Sequence, residues 1–305
     1  MTGIIGAIFA PGFFGNAPVH VALIIGGLVA VVSGVVGCFT VLRGQSYAGH
    51  ALADISVTGG SGSFLIGISP LWGFAATGVA AAGVMDMIGI RKPRGRDLAT
   101  GIVRGAGLGL AALFLYWDST STNATGATIT ILFGSMFTIS GSIIPAVVLL
   151  SVIALGIIGL GYRQLLLSSI SAELAFARGI RVRLTGLACL IAIALAVSLA
   201  ALSIGTILST ALLVGPAATA LRLTSRPGLA MLWAAVIGLA ATWLGVLLAY
   251  DSFTWPPQHR GWPVSFFVVA LVFAFYLLGQ LPARRRSRVT RAELAAPREE
   301  LAAAR

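Results

Sequence analysis

Between Gly49 and Asp54 the chain reads GHALAD, placing two ionisable side chains, His50 and Asp54, four positions apart among small and apolar residues. On a helix that spacing puts both on one face with Cβ atoms about 6 Å apart, close enough to meet on one small ligand. An imidazole nitrogen and a carboxylate oxygen together suit Zn2+, Mn2+ and Fe2+, cations that accept both donors. At 100° per residue Thr58 and Ser61 continue the same face, while Leu52, Ile55 and Gly59 fall opposite. One side of the helix is then a polar lane and the other packs on apolar neighbours. Two readings of the pair stand side by side: ligands on a path for a cation, or a hydrogen-bonded pair that locks helix packing.

The surroundings are those of a membrane. The 305 residues are 58% hydrophobic and 10% charged, with a mean hydropathy of +0.99, which excludes a water-soluble domain. Apolar runs long enough to cross about 30 Å of hydrocarbon as helix recur along the chain, and they lack the strand alternation of a β-barrel. The expected fold is all-α and polytopic, with about nine spans near 18–42, 48–68, 70–90, 98–116, 138–161, 184–203, 204–222, 228–250 and 263–281. The pair 184–203 and 204–222 leaves almost no room for a turn, so one of the two is expected to be broken or partly re-entrant. Residues 1–17 form a short external or interfacial segment without a signal-peptide pattern, residues 18–281 the membrane domain, and residues 282–305 a basic cytoplasmic tail that anchors at the membrane surface or is disordered.

Charge sets the orientation. If Arg43 is cytoplasmic, so are Arg91, Lys92, Arg94, Arg96, Arg163, Arg178, Arg181, Arg183, Arg222, Arg226 and the seven arginines after Pro282; Arg260 is external and Arg104 lies within a span. The formal charge of +11 thus reflects topology and not nucleic-acid binding. Cys38 and Cys189 have no paired spacing and read as small core residues. Asp86 reads as one half of a surface-proximal ion pair with Arg91 or Lys92. Pro216, inside an apolar span, removes a backbone donor and bends or breaks its helix; lining a path and shaping packing are equal readings of it. His259 and Asp251 fall in an external loop rich in Pro and Trp, read as a rigid interfacial loop.

The stretch LRGQSYAGHALADISVTGG resembles the signature of the ABC-3 family of metal-transporting ABC permeases. Most members read Gly-Asp-Ala-x-Ser-His followed by Pro-Gly. This chain carries the same two ligand types at the same spacing but swapped, as His50 and Asp54, with Thr58-Gly59-Gly60 in place of Pro-Gly. ILFGSMF at 131–137, SAELAFARGI at 171–180 and SIGTILSTALLVGPAATALRL at 203–223 are similar to three further family blocks, in order. The resemblance implies a metal-importer permease fold that translocates zinc or manganese, with iron as a further possibility. His50 and Asp54 would be the metal ligands, and Thr58, Ser61 and Pro216 would line the path. It also implies a permease homodimer, a separate ABC ATPase, an external metal-binding protein and a metal that is cargo, with no tightly bound cofactor.

The chain has no Gly-x-x-x-x-Gly-Lys sequence, so ATP hydrolysis falls to a partner and this subunit is not itself an enzyme. The cytoplasmic loop offers that partner a dock. Ser171 can cap a short helix, Glu173 suits its positive first turn, Ala175 lies within it and Gly179 can end it. The rival readings are a proton-coupled secondary metal carrier, cycling protons on Asp54 or Asp86, and a polytopic membrane enzyme, against which no nucleophile, base and orienting group occur at recognisable spacing. The arginine-dominated basic set and abundant Ala and Gly point to a GC-rich bacterial genome and so to a bacterial plasma membrane.

Overall fold

The computed structural model describes residues 13–88, 93–121, 125–134, 136–255 and 261–280. Arg91, Lys92, His259 and the tail 282–305 lie outside the described residues. The helices in chain order are α1 (Ala17–Leu42), α2 (Ser46–Leu65), α3 (Pro70–Ile88), α4 (Pro93–Ser121), α5 (Thr125–Phe133), α6 (Ile144–Ile170), α7 (Ala172–Ala177), α8 (Val182–Ile204), α9 (Thr206–Leu223), α10 (Pro227–Asp251) and α11 (Val264–Gln280). The described residues contain no strand.

Seven of these helices are long and apolar enough to cross a membrane, against the nine spans expected. The two that fall short are present as helices and correspond to the expected spans 48–68 and 263–281. Val264–Gln280 is short. Ser46–Leu65 has the length, but His50, Asp54 and a run of Ser, Thr and Gly dilute its apolar character. Its position accounts for the dilution, because α2 packs on α3 and α4 and also meets α8 and α9. A helix wrapped by others need not match lipid.

Chain reversal between helices rests on glycine where the backbone must go left-handed. Gly205, with φ +87°, is the single residue between α8 and α9. A side chain there would overlap the Leu132 carbonyl, because the end of α5 and Gly134 are packed against it. Both α8 and α9 are therefore unbroken, and each is long and apolar enough to span; the chain turns sharply at a residue with no Cβ to clash. Pro216 likewise leaves α9 assigned as helix from Thr206 to Leu223. The short helix α5 lies between the expected spans and was not anticipated.

Close contact around α2 also depends on missing side chains. A Cβ on Gly59 would overlap the Gly73 carbonyl of α3, one on Gly73 would overlap the Gly59 carbonyl, and one on Gly60 would strike the Phe74 ring. Small residues let two backbones meet at such a crossing, where packing and not water drives association.

One end of the bundle gathers polar groups. Arg43 after α1 donates from Nη1 to Ser168 Oγ of α6 at 2.8 Å, and Arg183 Nε donates to Asp86 Oδ2 of α3 at 3.1 Å. These groups border a cavity of about 450 Å³. Arg222 lies over the Tyr276 ring, 5.2 Å from its centre. Asp86 is thus ion-paired as expected, but with α8. Elsewhere, Trp255, Trp262, Phe266 and Phe267 pack as an aromatic group, the composition of a membrane–water interface. Cys38 and Cys189 are free and buried.

Replacing Gly59 or Gly73 by valine should force α2 and α3 apart and lower stability by about 1–3 kcal/mol or more, read as a lower melting temperature in detergent. Gly62→Ala, whose Cβ would meet only the Phe114 ring at 3.6 Å, should leave the melt close to wild type.

Candidate metal site

His50 is the fifth residue of α2, which by itself would place it near the Arg43 end. The packing places it deeper. Gly49 lies against Ile193, midway along the 23-residue α8, and Gln45 accepts from Cys189 Sγ at 3.6 Å. The α1–α2 turn is therefore recessed into the bundle, and His50 sits near half its height. Arg43 compensates by extending to Ser168, as long basic side chains do near an apolar boundary.

Three helices converge on the pair. His50 Nε2 and Asp54 Oδ2 are 3.7 Å apart. Arg104 of α4 donates from Nε to Asp54 Oδ2 at 2.5 Å, and its Nη2 lies 3.3 Å from His50 Nε2. Thr210 of α9 places its hydroxyl 3.1 Å from His50 Nδ1. A guanidinium has donors and no acceptor, so Nε2 is the accepting nitrogen and Nδ1 carries the proton that Thr210 receives. This is the tautomer a metal-binding histidine needs, with its far nitrogen held by a hydrogen bond and its near lone pair aimed at the site. The Asp54 side chain is 14% exposed, His50 38% and Arg104 31%, so the cluster is sheltered on one side and open on another.

The structure brings His50 and Asp54 together and closes the lane expected beyond them. Thr58 donates to the Gly107 carbonyl of α4 at 2.7 Å. Ser61 is fully buried and bonds back to Val57 and Thr58 carbonyls of its own helix, at 2.8 and 3.1 Å. Hydroxyls inside apolar helices commonly satisfy themselves this way. Thr58 and Ser61 thus bond to backbone carbonyls in this conformation and do not join the His50 cluster. Pro216 is buried in α9, and it is Thr210 of that helix that reaches the site. Arg104 and Thr210 were not expected. The one signal in the sequence was an arginine inside an apolar span, which requires a partner.

The loop at 171–180 has the form its residues predict. Ser171 Oγ accepts from Leu174 N at 3.2 Å, Glu173 lies in the first turn of α7, and Gly179 has φ +76°. Ile180 N and Gly179 N donate to the Ala175 and Phe176 carbonyls, closing the helix with a Schellman turn. Ala175 is fully buried and so seats α7 on its own subunit, while Leu174 and Phe176 are exposed. The face offered outward is theirs.

Among the described residues no group of three or more His, Cys, Asp or Glu side chains is placed to hold a metal ion. One chain offers the two donors of α2.

Residues 17–277 match the ABC 3 transport family. The chain is 28% identical over 243 residues to the manganese transport system membrane protein MntC of Listeria monocytogenes, covering 80% of this chain and 85% of that one. It is 31% identical over 230 residues to the manganese import system permease protein ScaB of Streptococcus parasanguinis, covering 75% and 81%. Among solved structures it is similar to a chain of PsaBC from Streptococcus pneumoniae in complex with Fab, with a TM-score of 0.76 and 27% identity, covering 90% of this chain and 94% of that one.

Thr58→Val deletes the bond to α4 and leaves the Gly107 carbonyl with only its own helix's hydrogen bond, a loss of about 1 kcal/mol. Ser61→Ala removes only a bond within the helix and should stay within about 0.5 kcal/mol of wild type. Melting of the purified chain separates the two; equal losses would contradict the bonding described.

Proposed function

The chain belongs to the ABC 3 transport family, and from that premise we propose that it is the membrane permease subunit of a bacterial plasma-membrane importer for a divalent transition metal. Manganese is the first assignment, with zinc and iron as competitors. The observation that carries the reading is the approach of His50 Nε2 to Asp54 Oδ2, 3.7 Å apart near mid-height in the bundle. A nitrogen–oxygen donor set without thiolate is compatible with Mn2+, and the relatives carry manganese in their names.

Two donors bind weakly, which suits a cargo that must leave. The open side of the cluster is where a second copy of the chain would add two more, making a homodimer the natural assembly. Energy comes from a separate ABC ATPase that seats α7 through Leu174 and Phe176, and an external binding protein delivers the ion. The cytoplasmic placement of the Arg43 end and of α7 follows the distribution of basic residues.

His50→Ala and Asp54→Ala should each abolish manganese uptake by the reconstituted complex. The exchange His50→Asp with Asp54→His keeps both donors at i, i+4 and should retain more uptake than either alanine variant. A pair that serves only packing predicts that the exchange is no better than the single changes. Normal uptake by both alanine variants would move the site elsewhere.

Glu173→Lys and Phe176→Ala should each weaken co-purification of the ATPase and cut uptake at least tenfold, with the permease still folded and inserted. Full co-purification and uptake in both would remove α7 from the coupling role.

A further inference from the structure

The group in contact with both proposed ligands is a cation that the protein itself supplies. Arg104 Nε lies 2.5 Å from Asp54 Oδ2 and Nη2 lies 3.3 Å from His50 Nε2, while those two acceptor atoms are 3.7 Å apart. Two ligands held about 2.1 Å from one ion are themselves about 3.0–3.5 Å apart. The pair is therefore already near the separation that a single ion requires, with guanidinium nitrogens on both members. We propose that Arg104 is the resting occupant of the cargo site, an internal counter-cation that a divalent metal must displace in order to bind.

This rests on His50 and Asp54 being cargo ligands, and it assigns a role to a residue that the reading does not otherwise need. A guanidinium stays charged at any physiological pH, so it cannot share the pair with a metal ion by losing a proton; it must move. The Arg104 side chain is 31% exposed. On its flank, a side chain at Gly105 would meet nothing within 4 Å, so α4 has open space there.

The consequences are chemical. With Arg104 in place the aspartate is neutralised, and a monovalent ion entering would exchange one positive charge for another. A divalent ion brings twice the charge and coordinates both donors directly, so exchange favours it. When the ion departs, the guanidinium returns to the same two atoms. Binding is thereby weakened by the competing arginine, and the site never stands as a bare buried carboxylate. Arg104 is on this account a specificity and release residue.

The test is equilibrium binding of radioactive Mn2+ to the purified permease–ATPase complex without nucleotide. Arg104→Met, similar in length and uncharged, should bind Mn2+ at least tenfold more tightly than wild type and import it more slowly. Arg104→Lys keeps the charge but cannot bridge both atoms, and should bind with intermediate affinity, which also serves if the methionine variant fails to fold. Asp54→Asn in either background should abolish the binding. Folded variants at Arg104 that bind Mn2+ no more tightly than wild type, while Asp54→Asn still abolishes binding, would overturn this proposal and leave the ligand assignment standing. Binding that survives Asp54→Asn would remove the ligand assignment, and this proposal with it.

Discussion

A carboxylate inside an apolar bundle must be neutralised, and the contact between Asp54 and Arg104 does this across two helices. An ionised group left alone in such a place costs several kcal/mol. Much of the local architecture follows from keeping the charged pair intact. α4 must lie close enough to α2 for the guanidinium to reach, and it does so where Gly107 lets its backbone meet Ile55 and accept from Thr58. α9 must bring Thr210 to the far side of the imidazole, and the reversal at Gly205 sets where that helix begins.

The polar helix is accommodated because it is shared among neighbours. α3 covers the glycine face of α2 through Gly59, Gly60 and Gly73, α4 covers the Thr58 face, and α8 and α9 cover the rest. The exposed apolar surface falls to other helices, as at Leu149, Val152 and Leu160 of α6. The recessed α1–α2 turn follows from the same arrangement, since it lifts His50 to mid-height and leaves a cavity of about 450 Å³ beneath it.

What was legible in the sequence is what short-range spacing determines. The i, i+4 relation of His50 and Asp54 survives folding because both lie on one helix, and the caps of α7 survive because Ser171 and Gly179 act within a few residues. Pairings across the bundle were not legible. Arg104 is 50 positions from Asp54 and Thr210 is 160 from His50, and no local pattern records which helix faces which. A helical wheel placed Thr58 and Ser61 correctly on the His50 side of α2, but it could not show that α4 would cover that side farther along or that Ser61 would bond to its own backbone. Glycine was half legible: the positive-φ turn at Gly205 sits where two apolar runs abut, whereas the crossing at Gly59 and Gly73 needs the register of two helices.

The central claim is that the imidazole of His50 and the carboxylate of Asp54 hold the cargo ion. Its most direct measurement is pulsed electron paramagnetic resonance of Mn2+ bound to the purified complex, with histidine labelled by 15N. The account predicts hyperfine coupling from an imidazole nitrogen that disappears on His50→Ala. Bound Mn2+ without nitrogen coupling, or coupling that persists unchanged in His50→Ala, would contradict it.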